Sequence, residues 1–110
     1  MTPIKMQIKL LKLAKLILRD TDRTSFICNA LEYVTKDMKL PYIKQMEWMQ
    51  EVYKLRNWIM RSLDGDHSYK CWLNRVHPNF QRASLYDYRV GRIQWIDWMI
   101  NELKTNGKLP

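Results

Sequence analysis

The chain is poor in the residues that interrupt regular structure. It has three glycines and four prolines in 110 residues, so turns are few and the elements between them are long. Three scattered glycines also exclude a glycine-rich phosphate loop. Only two cysteines are present, Cys28 and Cys71, and neither belongs to a CxxC pair. That count fits reduced, buried thiols in a cytoplasmic protein rather than a disulfide framework. Histidine is equally scarce. His67 and Cys71 lie four apart, and with His77 and Cys28 they make four possible zinc ligands, but the spacing matches no zinc motif. A Cys–His nucleophile has the residue types and lacks any orienting motif. Long apolar runs are missing too. The N-terminal apolar segment is broken by a lysine every third or fourth residue, unlike a signal peptide and too charged to span a bilayer.

Acidic residues are outnumbered. Nineteen Lys and Arg stand against eleven Asp and Glu, for a net charge of +8. A field of that sign favours phosphate-bearing or acidic partners. Apolar residues make up 46% of the chain and aromatic residues 12%, ample for the core of one small domain spanning 1–110.

Apolar residues recur at helical spacing and strict alternation is absent, which predicts an all-α domain, a compact bundle of about five helices. The first runs from about Pro3 to Arg19, with Thr2 as cap and Pro3 in the first turn. The polar turn 20–24 supplies caps for a second helix, roughly Ser25 to Lys36. The third begins at Pro41 and runs to about Leu63, ended by Asp64-Gly65-Asp66. A short fourth helix covers about Ser68 to Val76, stopped by Pro78, and a loop follows over 79–83. The fifth opens with the capping sequence Ser84-Leu85-Tyr86-Asp87 and ends at Asn106-Gly107.

The first helix carries a one-sided basic stripe: Lys5, Lys9, Lys12, Lys15 and Arg19, with no acid before Asp20. The stripe can be a solvated face, a surface that tracks phosphate, or an interfacial membrane helix. Its apolar face carries no Trp or Phe, which counts against the membrane. Sequence-specific DNA readout would need polar side chains aimed at bases, and Gln7 points away from the stripe. The third helix presents a wide apolar face, Tyr42, Met46, Trp48, Met49, Val52, Tyr53, Leu55, Ile59, Met60 and Leu63, with its methionine stripe expected as core. Glu47 and Glu51 are expected on the solvated side, near Lys44 and Lys54.

The fifth helix is apolar nearly all round, so it is central or lies at an oligomer interface. Arg89 and Arg92 sit inside one of its apolar stripes, and Asp87, Asp97 and Glu102 project elsewhere. An uncompensated buried guanidinium is costly. Another helix supplies a carboxylate, or the side chains reach solvent, or a ligand anion meets them. In the last case Arg89 and Arg92 would grip phosphate while Tyr88 or Trp95 stacks on a base, with Arg82 and Tyr86 contributing from the helix start.

The segments Phe26-Ile-Cys-Asn-Ala-Leu31, Leu55-Arg-Asn-Trp-Ile59, Tyr69-Lys-Cys-Trp-Leu73 and Arg89-Val-Gly-Arg-Ile-Gln-Trp-Ile-Asp-Trp-Met-Ile-Asn-Glu-Leu103 resemble small helical proteins encoded by tailed bacteriophages, over about residues 24–104. The resemblance assigns no active-site residue. It implies a protein that acts on host machinery by binding, in the host cytoplasm, for example an oligomer that sequesters nucleotide immune signals. The expectation is therefore a non-catalytic, homo-oligomeric binding protein for a phosphate-bearing ligand such as a nucleotide, with no metal or cofactor. Two alternatives stand beside it: docking on an acidic host protein through the first helix, and non-specific nucleic-acid binding.

Overall fold

The computed structural model describes residues 1–62 and 85–110. Four α-helices occur among the described residues: α1 (Pro3–Asp20), α2 (Ile27–Asp37), α3 (Tyr42–Ser62) and α4 (Leu85–Asn106). There is no strand among them. The all-α expectation is met. The short helix expected at about 68–76 and the loop over 79–83 lie outside the described residues, as does Ser84 of the expected cap.

Local chemistry sets the helix ends. The Thr2 hydroxyl accepts from the Lys5 amide at 3.2 Å and Pro3 opens α1, as expected. At the other end the Thr21 amide and hydroxyl both donate to the Ile17 carbonyl, at 3.2 and 2.7 Å. The second helix starts two residues later than expected. Phe26 occupies its N-cap without a side-chain cap. The Thr24 hydroxyl spends its acceptor capacity on the Phe26 amide at 3.1 Å, which holds residues 24–26 in a turn rather than in the helix. Lys39, at φ 50°, reverses the chain after α2, and Pro41 then opens α3. Gly107, at φ 71°, closes α4 with its amide on the Leu103 carbonyl at 3.0 Å. The tail folds back so that Leu109 meets the core and the Trp58 indole donates to the Pro110 oxygen at 2.7 Å.

One continuous core joins the four helices. Helix α1 packs against all three others. It contributes Leu10, Leu11, Ala14 and Leu18, each fully shielded from water. Burying each leucine contributes about 1.5–3 kcal/mol. Ala30, Leu31 and Val34 of α2, Val52, Leu55 and Ile59 of α3, and Trp95, Ile96, Met99 and Leu103 of α4 complete the core. Helix α4 is buried along its second half, chiefly against α1, which is the central helix among those described.

Two expectations for α3 need correction. Glu51 is buried, not solvated. It faces α1, where Gln7 donates to it at 3.0 Å, and Lys54 caps its outer side at 3.1 Å. The Met–Tyr stripe is not core. Tyr42, Met46, Tyr53 and Met60 are exposed, and Met49 is half-buried with its sulfur accepting from the Thr35 hydroxyl at 3.2 Å. The reason is geometric. Of the wide apolar face, Val52, Leu55 and Ile59 lie to one side, and they are the residues buried in the core, as expected of them.

Candidate functional site

Helix α4 carries Arg89 and Arg92 one turn apart, with buried Gly91 between them. Two acids of their own helix are engaged elsewhere. Asp97 is taken by Lys15 of α1 at 2.8 Å, and Glu102 accepts from Asn106 at 2.6 Å. The compensation comes instead from the connection between α1 and α2. Arg92 donates to the Ser25 carbonyl at 3.0 Å, and its guanidinium lies 5.0 Å from the centre of the Phe26 ring. Arg89 stands 3.7 Å from an Asp22 carboxylate oxygen. That separation is long and Asp22 is fully exposed, so the pair contributes little. The carboxylate expected from another helix comes instead from this connection, together with a backbone carbonyl.

Beside Arg92 a cavity of about 280 Å³ opens between α2, α3 and α4. Phe26, Ile27 and Cys28 line it from α2, Ile59 and Met60 from α3, and Trp95 and Arg92 from α4. Trp95 is only 2% exposed, so it forms the wall and cannot swing out as a stacking platform. Its ring is tilted against Trp58 at 5.8 Å, and Trp58 continues to Trp98 at 6.2 Å. The exposed ring at this site is Phe26. Burial raises the Cys28 thiol above its ordinary pKa, which keeps it neutral and poorly nucleophilic. Arg82 lies outside the described residues, as do the side chains of Tyr86 and Tyr88.

The stripe of α1 is less free than its pattern indicates. Lys15 is bound to Asp97, and Arg19 to the adjacent Asp20. Lys9 extends over the Trp48 ring, 5.7 Å from its centre. Lys5 and Lys12 are exposed and form no ion pair among the described residues. The usable positive face of α1 is therefore Lys5, Lys9 and Lys12.

Sequence reasoning missed Phe26, Cys28, Ile59 and Met60 as neighbours of Arg92. It also missed a second cationic recess of about 230 Å³, lined by Lys54 and Arg61 of α3, Lys108 of the tail, and Gln7, Trp58 and Gly107 among others. The seven-residue spacing of Lys54 and Arg61 put them on one face and was readable. Lys108 joins them only because the tail folds back. Among the described residues no group of three or more metal-ligating side chains occurs. Nor is any of the described helices long and apolar enough to cross a membrane. No protein-family profile, curated protein or solved structure matches the chain.

Proposed function

We propose that this protein is a non-catalytic binder of a small phosphate-bearing ligand, with a nucleotide as the leading class. The observation that carries the reading is the Arg92 guanidinium, held over the exposed Phe26 ring beside an otherwise apolar cavity. An apolar or ring-shaped body suits the cavity, and a phosphate suits the guanidinium pair at Arg92 and Arg89. At about 280 Å³ the cavity falls just below the roughly 300–1,000 Å³ of drug-sized sites, so it accommodates one ring and not an entire dinucleotide. Phe26, Ile27, Ile59 and Met60 offer no side-chain hydrogen bond to a base edge, so discrimination among bases would be weak. In the phage setting that the resemblance implies, such a ligand would be a nucleotide immune signal held away from its receptor.

The test is a thermal-shift and calorimetric survey of nucleotides on the full chain. A ligand at 100 times its Kd stabilises by about 2.7 kcal/mol, which is readily seen. Arg92→Ala is expected to abolish the effect and Arg89→Ala to weaken it. In a Cys71→Ser background, bound ligand should also slow iodoacetamide alkylation of Cys28, which lines the cavity. Binding that survives both arginine substitutions and leaves Cys28 unprotected would place the ligand elsewhere.

A second reading rests on Lys5, Lys9 and Lys12, which face solvent along one side of α1. It is docking on an acidic protein surface. It predicts salt-sensitive association that is lost on charge reversal at Lys9 and Lys12. Non-specific nucleic-acid binding through the same face predicts a steep salt slope and indifference to base sequence.

A further inference from the structure

Helix α3 displays large apolar side chains that nothing among the described residues covers. Tyr42 is 79% exposed, Ile43 72%, Met46 44%, Tyr53 49% and Met60 53%. Tyr42, Met46, Met49, Tyr53 and Met60 follow spacings of four, three, four and seven residues. That is the repeat of a helix seam that packs against another helix. The missing position between Tyr53 and Met60 is Arg56, whose charge is already held by Glu32 at 3.2 Å.

We infer that this seam is the interface of a two-fold dimer in which α3 packs antiparallel against α3 of a second copy. The pattern is self-complementary about residue 51. In that register Tyr42 of one copy meets Met60 of the other, Met49 meets Tyr53, and Met46 meets the aliphatic stem of Arg56. Each aromatic ring then faces a thioether, a favourable pairing. A parallel arrangement would set Tyr42 on Tyr42 and Arg56 on Arg56, opposing like charges.

The area suits a weak, reversible dimer. The four exposed seam side chains amount to a little over two whole side chains, or roughly 450 Å² per copy at about 200 Å² for each. Two copies bury about 900 Å², in the range of transient interfaces. The dimer stands independently of any ligand, although Met60 also lines the cavity beside Arg92, so Tyr42 of the second copy would lie near that site.

Sedimentation equilibrium of the full chain tests this. The wild type is expected to dimerise. Met46→Glu and Tyr53→Glu should each weaken the dimer on the order of 30-fold or more, with helicity unchanged by circular dichroism. Lys104→Glu, an exposed change on α4, should not. A monomer at millimolar concentration, or a dimer that survives both glutamate substitutions, overturns the surface. The register is read separately in a Cys28→Ser, Cys71→Ser chain. A mixture of Tyr42→Cys and Met60→Cys chains should oxidise to the mixed disulfide, and efficient self-linkage of Tyr42→Cys alone would overturn the antiparallel arrangement.

Discussion

The contact between Gln7 and Glu51 gives a stringent test of the packing of α1 on α3. Glu51 is 4% exposed, and its carboxylate accepts from the Gln7 amide nitrogen at 3.0 Å and from the Lys54 ammonium at 3.1 Å. Lys54 reaches the carboxylate from the solvent side, so Gln7 is its inner partner. Gln7→Leu removes a hydrogen bond to a charged acceptor, worth about 1.5–3 kcal/mol, and leaves a carboxylate facing an apolar side chain. A cost near 2 kcal/mol corresponds to a drop of roughly 10 °C in Tm for a domain of this size. Glu51→Leu alone strands the Gln7 amide and should cost about 1–3 kcal/mol. The double substitution replaces both polar groups with apolar ones of similar length. It should lie close to wild type, because neither partner is left unsatisfied. Urea unfolding of the four chains, followed by circular dichroism, measures the cycle. The expected coupling, the two single costs less a near-zero double, is about 3–5 kcal/mol. Single substitutions that each cost under about 0.5 kcal/mol, or a strictly additive double, would refute the claim that these groups depend on one another.

Other outcomes follow from the same structure. Hydrogen bonding to the Arg23 guanidinium holds the Asp37 carboxyl below its ordinary range. A depressed folded-state pKa adds stability that is full above about pH 4 and fades as the pH falls through the folded value. Asp37→Asn should therefore melt below wild type at pH 7, with the gap closing in acid; a gap that persists at pH 2 would contradict the ion pair as its source. Lys39 holds a positive φ that a glycine adopts freely, so Lys39→Gly should stabilise by about 1 kcal/mol. Gly107→Ala should destabilise by a similar amount, about 1 kcal/mol, through backbone strain alone, since a Cβ there would meet nothing within 4 Å. Denaturant titration checks both, and a neutral result at either position would mean that the chain reverses differently there.

The helices were legible because their signals are local. Thr2 with Pro3, and Asn106 with Gly107, mark ends that depend only on neighbours in sequence. The apolar spacing of α1 identified its buried face without knowledge of what covers it. The errors fell where a second helix decides. Glu51 read as a solvated acid because its nearest charges are lysines on its own helix, and Gln7 lies 44 residues away. The stripe from Tyr42 to Met60 read as core because it is apolar at helical spacing. Two apolar faces compete on α3, and only the packing of α1 and α2 shows which of them is covered. Arg89 and Arg92 were singled out as charges inside an apolar stripe. Their contacts, Asp22 and Ser25, come from the turn before α2, more than sixty residues earlier in the chain.

Residue pattern alone sufficed for the all-α class, for the boundaries of the described helices to within a residue or two, and for the net positive charge of the chain. These depend on backbone chemistry within one turn and on composition. Tertiary structure decided which charges remain available. Folding binds Lys15 to Asp97, buries Glu51 on Gln7 and sets Arg92 over Phe26. It also leaves the Tyr–Met seam of α3 uncovered. An ion pair or a buried face requires two segments to meet, and where they meet depends on how the helices pack rather than on either segment's own periodicity.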